Sequence, residues 1–93
     1  MNIRQLLVEK YGYPEKGAEL MAARLGALTG AFGEALEKWA ATGAPASPGE
    51  YCGYTVERLM DEYGMNYPAA LTTLDWIRRD GEKAVGMLKK GVK

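Results

Sequence analysis

The chain of 93 residues has no histidine, a single cysteine, no net charge and no long hydrophobic run. The missing histidine removes the usual general base near neutral pH and the commonest metal ligand. With Cys52 alone, neither an intrachain disulfide nor a cysteine-rich zinc site can form. Twelve basic and twelve acidic residues cancel, so no overall field attracts nucleic acid. Any electrostatic argument must therefore be local.

Membrane insertion and export are also disfavoured by what the sequence lacks. The longest uncharged, apolar-rich stretch of the first half, residues 25–33, is far shorter than the ~20 residues of a bilayer span. The N-terminal segment has no apolar core of a signal peptide, and its charges come early. A single thiol fits a reducing compartment. We therefore expect a cytoplasmic protein with no membrane contact.

The composition that is present, 47% hydrophobic and 10% aromatic, is that of a globular chain of one domain. Over residues 14–42, apolar residues alternate at spacings of three and four, which predicts one long amphipathic helix. Glycines within this stretch leave open a break between Gly30 and Gly33. The apolar positions are Ala18, Met21, Leu25, Leu28, Phe32, Ala35 and Trp39.

A stripe of small residues runs along the same predicted helix, at Ala22, Gly26 and Gly30. A flat stripe of this kind lets another helix backbone lie close. It favours packing within the fold, or a homodimer formed through the stripe.

Breaker-rich residues 42–49 separate this helix from a second half, and we expect one helical turn near residues 47–50. Shorter helices are predicted at residues 2–11, with Asn2 as cap, from Thr55 to a stop at Gly64, at residues 68–79, and from residue 80 to Gly91. The expected fold is all-α, a compact bundle of about five helices with one long central helix. Residues 7–12 and 59–64 share a pattern, which reflects either an internal duplication or the common chemistry of ending a helix.

Residues 55–77 resemble a helix-turn-helix segment, with a short helix, a glycine turn and a longer helix. The pattern departs from the family at Met60, where a small residue is usual. The resemblance implies a second helix that reads bases, with a DNA-binding transcriptional regulator as the resulting function. The reading face would consist of Asn66, Tyr67, Ala69, Thr72, Thr73 and Asp75.

Charge is segregated within the second half. Residues 50–75 carry five acids and one base, whereas residues 76–93 carry six bases and two acids. The basic end, which includes Arg78 and Arg79, either contacts an acidic or phosphate-bearing partner or simply follows the helix dipole. Nucleic acid is therefore a weak candidate partner.

Aromatic residues point to a protein interface. Six tyrosines and two tryptophans are many for this length, and such residues dominate the energetic centres of interfaces. Tyr51 and Tyr54 flank a glycine-containing segment, and on one helical turn they would share a surface. The alternative is that these rings close the core. The predicted partner-binding residues are Tyr51, Tyr54, Tyr67, Trp76, Arg78 and Arg79.

Catalysis is not predicted, because no base stands near Cys52 or the hydroxyl residues in sequence. Glu57 and Asp61 lie one turn apart, but a solvated helix face explains them without a metal. We expect no cofactor. The sequence favours a non-catalytic protein-binding module, as an adaptor or as a phage or mobile-element inhibitor of a host enzyme such as a defence nuclease. The alternative is the helix-turn-helix regulator.

Overall fold

The computed structural model describes residues 3–91, and this part of the chain contains six α-helices and no strand. The all-α prediction is confirmed. The helices are α1 (Ile3–Tyr11), α2 (Glu15–Gly26), α3 (Gly30–Thr42), α4 (Val56–Tyr63), α5 (Tyr67–Asp80) and α6 (Glu82–Gly91). The predicted cap Asn2 lies outside the described residues.

The chain divides into two compact units, Met1–Ala46 and Ser47–Lys93. The boundary falls within the breaker-rich segment at residues 42–49. Each unit contains three of the described helices. That the whole chain acts as one domain stays a prediction.

The prediction of one long central helix is wrong, because residues 14–42 form α2 and α3. The break lies at residues 27–29, just before the Gly30 to Gly33 stretch where the sequence left a break open. Helix α2 ends at Gly26, and α3 begins at Gly30 with a φ of +61°. A left-handed residue cannot continue a right-handed helix, so the helix is interrupted there. The Leu28 carbonyl oxygen lies 3.2 Å from where a Cβ of Gly33 would stand, so the connection packs closely on α3. The sixth helix results from this break.

The break also removes the predicted stripe of small residues as one helix face. Ala22 and Gly26 belong to α2, whereas Gly30 is the first residue of α3. A homodimer through a continuous Ala22, Gly26 and Gly30 face therefore has no basis in this fold.

Most of the apolar residues that the periodicity selected lie in the core of the first unit, whereas Met21 and Leu28 are only half-buried. Ala18, Leu25, Phe32, Ala35 and Trp39 are buried, together with Leu6, Leu7 and Leu36. The Trp39 indole Nε1–H donates to the Tyr11 hydroxyl at 3.1 Å, and the two rings lie 5.7 Å apart. This pair ties α1 to the last turns of α3.

The second unit begins with an irregular segment, so the helical turn predicted near residues 47–50 is wrong. Gly49 has a φ of +129°, whereas every residue of a right-handed helical turn has a negative φ. Its N–H donates to the Ser47 hydroxyl at 3.2 Å. The core of this unit consists of Tyr54, Val56, Leu59, Tyr67, Ala70, Leu71, Leu74, Ile77 and Ala84.

The predicted start and stop of α4 are confirmed, and the predicted α5 is extended by one residue at each end. The predicted start of the last helix at Asp80 is wrong, because Asp80 is the last residue of α5 and α6 begins at Glu82 after Gly81. The Thr55 hydroxyl accepts from the N–H of Arg58 at 3.1 Å and caps α4. Gly64 ends α4 with a φ of +67°. Helix α5 begins after Asn66, whose side-chain oxygen accepts from Ala69 N–H at 3.0 Å.

The repeated sequence pattern ends α1 and α4 in the same way. Gly12 and Gly64 both have positive φ, at +69° and +67°. The following N–H groups, of Tyr13 and Met65, donate to the carbonyls of Leu7 and Leu59. Common helix-ending chemistry is therefore sufficient to explain the match.

Candidate functional site

A tight turn at residues 51–54 lies between the irregular start of the second unit and α4. Tyr51 and Tyr54 exchange two backbone hydrogen bonds, each 2.9 Å long. The central residues Cys52 and Gly53 have φ of +53° and +81°, as a type I′ turn requires. Both are exposed at the tip of the turn. The predicted helical turn through Tyr51 and Tyr54 is therefore replaced by a β-turn.

Cys52 is the only residue other than glycine with positive φ among residues 3–91. A side chain in this conformation costs of order 1 kcal/mol or more, so the surrounding contacts must hold it. The paired backbone of Tyr51 and Tyr54 supplies two of them.

Arg58, in the first turn of α4, joins that helix to the turn. Its guanidinium carbon lies 4.4 Å from the centre of the Tyr54 ring. Its Nη1–H donates to the Gly53 carbonyl at 2.8 Å, and its Nε–H donates to the Glu62 carboxylate one helical turn later. The hydrogen bond to Glu62 is the main cause of a pKa of Arg58 above its ordinary value. Arg58 is thus a cation held in a fixed orientation.

Tyr63 completes the contacts of this region from the end of α4. Its hydroxyl lies 3.0 Å from that of Tyr54, and the rings meet edge to face with centres 6.0 Å apart. The hydrogen bond with Tyr54, followed by burial, raises the pKa of Tyr63. Tyr63 is therefore neutral at physiological pH.

These residues form what we call the turn surface. Its exposed or half-buried members are Tyr51, Cys52, Gly53, Arg58, Glu62 and Tyr63. Tyr54 lies beneath them with only 2% of its surface exposed. The surface offers aromatic rings, an oriented cation and a carboxylate. Within residues 3–91, no three carboxylate or thiol side chains are grouped as metal ligands.

The six predicted partner-binding residues fall into different environments. Tyr54 and Tyr67 are buried, at 2% and 0% exposure, so neither ring is offered to a partner. Tyr51 is half-buried on the turn surface. Tyr54 and Tyr67 therefore belong to the core, as the alternative prediction stated.

Trp76, Arg78 and Arg79 lie in the second half of α5. Trp76 is half-buried, and both arginines are exposed. Arg78 Nη2 lies 2.8 Å from one oxygen of Asp75, and Arg79 Nε lies 3.1 Å from the other. A single carboxylate therefore orients both guanidinium groups and offsets one of their charges.

The two helices that the resemblance implied are present as α4 and α5, but α5 is largely covered. Helices α4 and α5 are joined by residues 64–66, as the resemblance implied. All of the predicted reading face is buried or half-buried, and the Thr72 hydroxyl donates to the Pro68 carbonyl at 3.0 Å. A reading helix must expose its N-terminal residues to base edges. Helix α5 serves instead as the core helix of its unit.

Sequence reasoning missed Arg58, Glu62 and Tyr63 as members of a site. The separation of Arg58 and Glu62 by one helical turn is a visible ion-pair signal. Nothing in the sequence indicated that Arg58 would also cover the Tyr54 ring.

None of the six helices described is both long and apolar enough to cross a membrane. Comparison of the chain with known protein families, curated proteins and solved structures returned no match.

Proposed function

We propose that this chain is a non-catalytic protein-binding module and that the turn surface is its contact site. The observation that carries the proposal is the fixed Arg58 guanidinium. Its side chain remains 44% exposed although it contacts Tyr54, Gly53 and Glu62. The surface is therefore ordered before a partner arrives.

Side chains that are already ordered favour binding, because a flexible side chain loses conformational entropy when an interface immobilises it. An interface side chain with many rotamers costs about 0.5–1.5 kcal/mol when it is fixed. Arginine and tyrosine are also the residue types most enriched at binding hot spots. Tyr51 and Arg58 combine both features on one surface.

The DNA-binding alternative draws support from the arrangement of α4 and α5. Two observations count against it: the predicted reading face of α5 is buried or half-buried, and α4 carries the exposed acids Glu57, Asp61 and Glu62. Carboxylates on the first helix would repel a phosphate backbone. Protein binding requires neither an exposed α5 nor a basic α4.

The test is affinity capture from the protein's own cells, with a tagged chain and a nuclease-treated parallel sample. Captured protein should survive nuclease treatment and be lost with Tyr51→Ala or Arg58→Ala. Arg24→Ala is the matched control, because Arg24 is an exposed helical arginine of the other unit. Capture that disappears with nuclease, or that is equal for Arg58→Ala and Arg24→Ala, would contradict the proposal.

A further inference from the structure

Helix α6 leaves its larger apolar side chains incompletely covered. Ala84 is its only fully buried residue over residues 82–90, whereas Val85 and Leu88 are half-buried. Met87 is 55% exposed, and only one other large hydrophobic residue, Leu20, is comparably open in the described chain. An exposed methionine is an adaptable apolar contact.

Lysines surround this methionine on the helix surface. Lys83 and Lys90 lie one turn before and one turn after Met87, and all three are exposed. Neither Lys83 nor Lys90 forms an ion pair with another described residue. From Lys83 onward the sequence has no acidic residue. The face defined by Lys83, Met87 and Lys90, here the α6 face, is therefore apolar at its centre and cationic at both ends.

We propose that the α6 face binds an acidic protein surface, with Met87 entering an apolar depression that carboxylates border. Charge complementarity selects the partner: unpaired lysines on either side of Met87 require anions on either side of the depression. Binding of a helix face in a groove is a recurring mode of protein recognition. The α6 face shares no residue with the turn surface, so this site is independent of the proposed contact there.

An anionic membrane fits the α6 face less well than a protein does. Insertion of an amphipathic helix requires a broad apolar face in contact with lipid. In α6 that face centres on Ala84, which has 0% exposure and is covered by the protein itself. Met87 alone offers too little apolar area to insert into lipid, although one side chain is sufficient to fill a depression in a protein surface.

The experiment titrates the full chain into a labelled synthetic helical peptide in which an alanine between leucines forms an apolar depression and glutamates border it. Two further peptides, with glutamine for glutamate and with serine for leucine, separate the charge from the apolar contribution. We expect binding of the first peptide, at least about tenfold weaker binding of each of the other two, and weaker binding at high salt.

Matched variants assign the binding to the α6 face. Met87→Gln and Lys83→Gln should each weaken binding of the glutamate-leucine peptide, the first by about tenfold. Leu20→Gln and Lys16→Gln are the controls, because both residues are exposed on α2, and they should leave it unchanged. Helix content measured by circular dichroism verifies that each variant is folded.

Three results would overturn the inference. The first is no binding of the glutamate-leucine peptide, and the second is equal binding by Met87→Gln and Leu20→Gln. The third is Met87-dependent binding to phosphatidylserine vesicles that exceeds binding to the peptide, which would assign the face to a membrane. Arg58→Ala should bind the peptide like the unaltered chain, so failure at the turn surface and failure here are distinguishable.

Discussion

The guanidinium of Arg58 stacks on the Tyr54 ring, with 4.4 Å between its central carbon and the ring centre. Tyr54 is buried, while the Arg58 side chain is 44% exposed. A core ring thus supports a surface cation, and the exposed side of that cation is available to a partner. This pair separates residues that hold the fold from residues that can bind.

Replacement of Tyr54 and Tyr51 should affect stability very differently. Tyr54→Ala removes a buried ring and should lower the free energy of unfolding by about 3–5 kcal/mol. Tyr51→Ala removes a half-buried ring and should cost less than about 1.5 kcal/mol. Denaturant titration of both variants measures the two values. Equal losses would mean that the turn surface is part of the core.

The helix caps make a second prediction. Thr55→Ala and Asn66→Ala each remove a side chain that accepts a cap hydrogen bond and should cost about 1 kcal/mol. Thr29→Ala is the control, because Thr29 precedes α3 without a side-chain cap bond, and it should cost less than about 0.5 kcal/mol. Midpoints of urea unfolding give all three values. A Thr29 variant as unstable as the Thr55 variant would contradict the assigned caps.

Stability should fall at alkaline pH through Tyr63. The pKa of Tyr63 lies above its ordinary value of 10.0 in the folded chain, because of the hydrogen bond with Tyr54 and of burial. A raised folded pKa stabilises the protein below the unfolded pKa, and this contribution is lost as pH rises through the folded pKa. Arg58 and Glu62 are the charged groups that face Tyr63.

The variant Tyr63→Phe tests this assignment. Unfolding midpoints are compared from about pH 8 to above pH 10, where tyrosine ionises. The difference between the unaltered chain and Tyr63→Phe should be constant below about pH 10 and shrink above it. A difference that stays constant across the whole range would show that Tyr63 does not couple to folding.

Duplex DNA should bind weakly at physiological salt, in the non-specific range. The covered α5 helix and the acids of α4 both predict this result. Residual binding should fall with salt and fall further in the double variant Arg78→Ala/Arg79→Ala. Fluorescence anisotropy over a salt series measures both effects. Sequence-specific binding tighter than roughly 10⁻⁷ M would reverse the order of the two functions.

Local signals made much of the second unit predictable from sequence. A hydroxyl residue before an apolar pattern and a glycine after it fixed the start of α4 at Thr55 and its end at Gly64. Helix caps depend on hydrogen bonds between residues that are close in sequence, so a short stretch of sequence is sufficient to predict them.

The break between α2 and α3 was not predictable from periodicity. Leu25 in α2 and Phe32 in α3 are separated by seven residues, as on one helix face, and both are buried. Glycine adopts right-handed and left-handed conformations with similar ease, so the sequence leaves the φ of Gly30 undecided.

The turn surface escaped prediction for a related reason. Residues three apart meet in a helical turn and also in a β-turn, so the spacing of Tyr51 and Tyr54 does not distinguish the two. Cys52 adopts a φ that is uncommon for any residue with a side chain. The position of Arg58 over Tyr54 depends on this turn and is therefore a tertiary feature.

The central claim is tested most directly by titrating the nuclease-resistant captured protein, once purified, with the Arg58→Ala and Arg24→Ala chains in a calorimeter. The account predicts that Arg58→Ala weakens binding by about 2 kcal/mol or more, as for an interface hot spot, while Arg24→Ala binds like the unaltered chain. The Arg58→Ala chain must remain folded at the temperature of the titration, as its thermal unfolding curve shows. Equal affinity of the two variants for the partner would contradict the assignment of the turn surface.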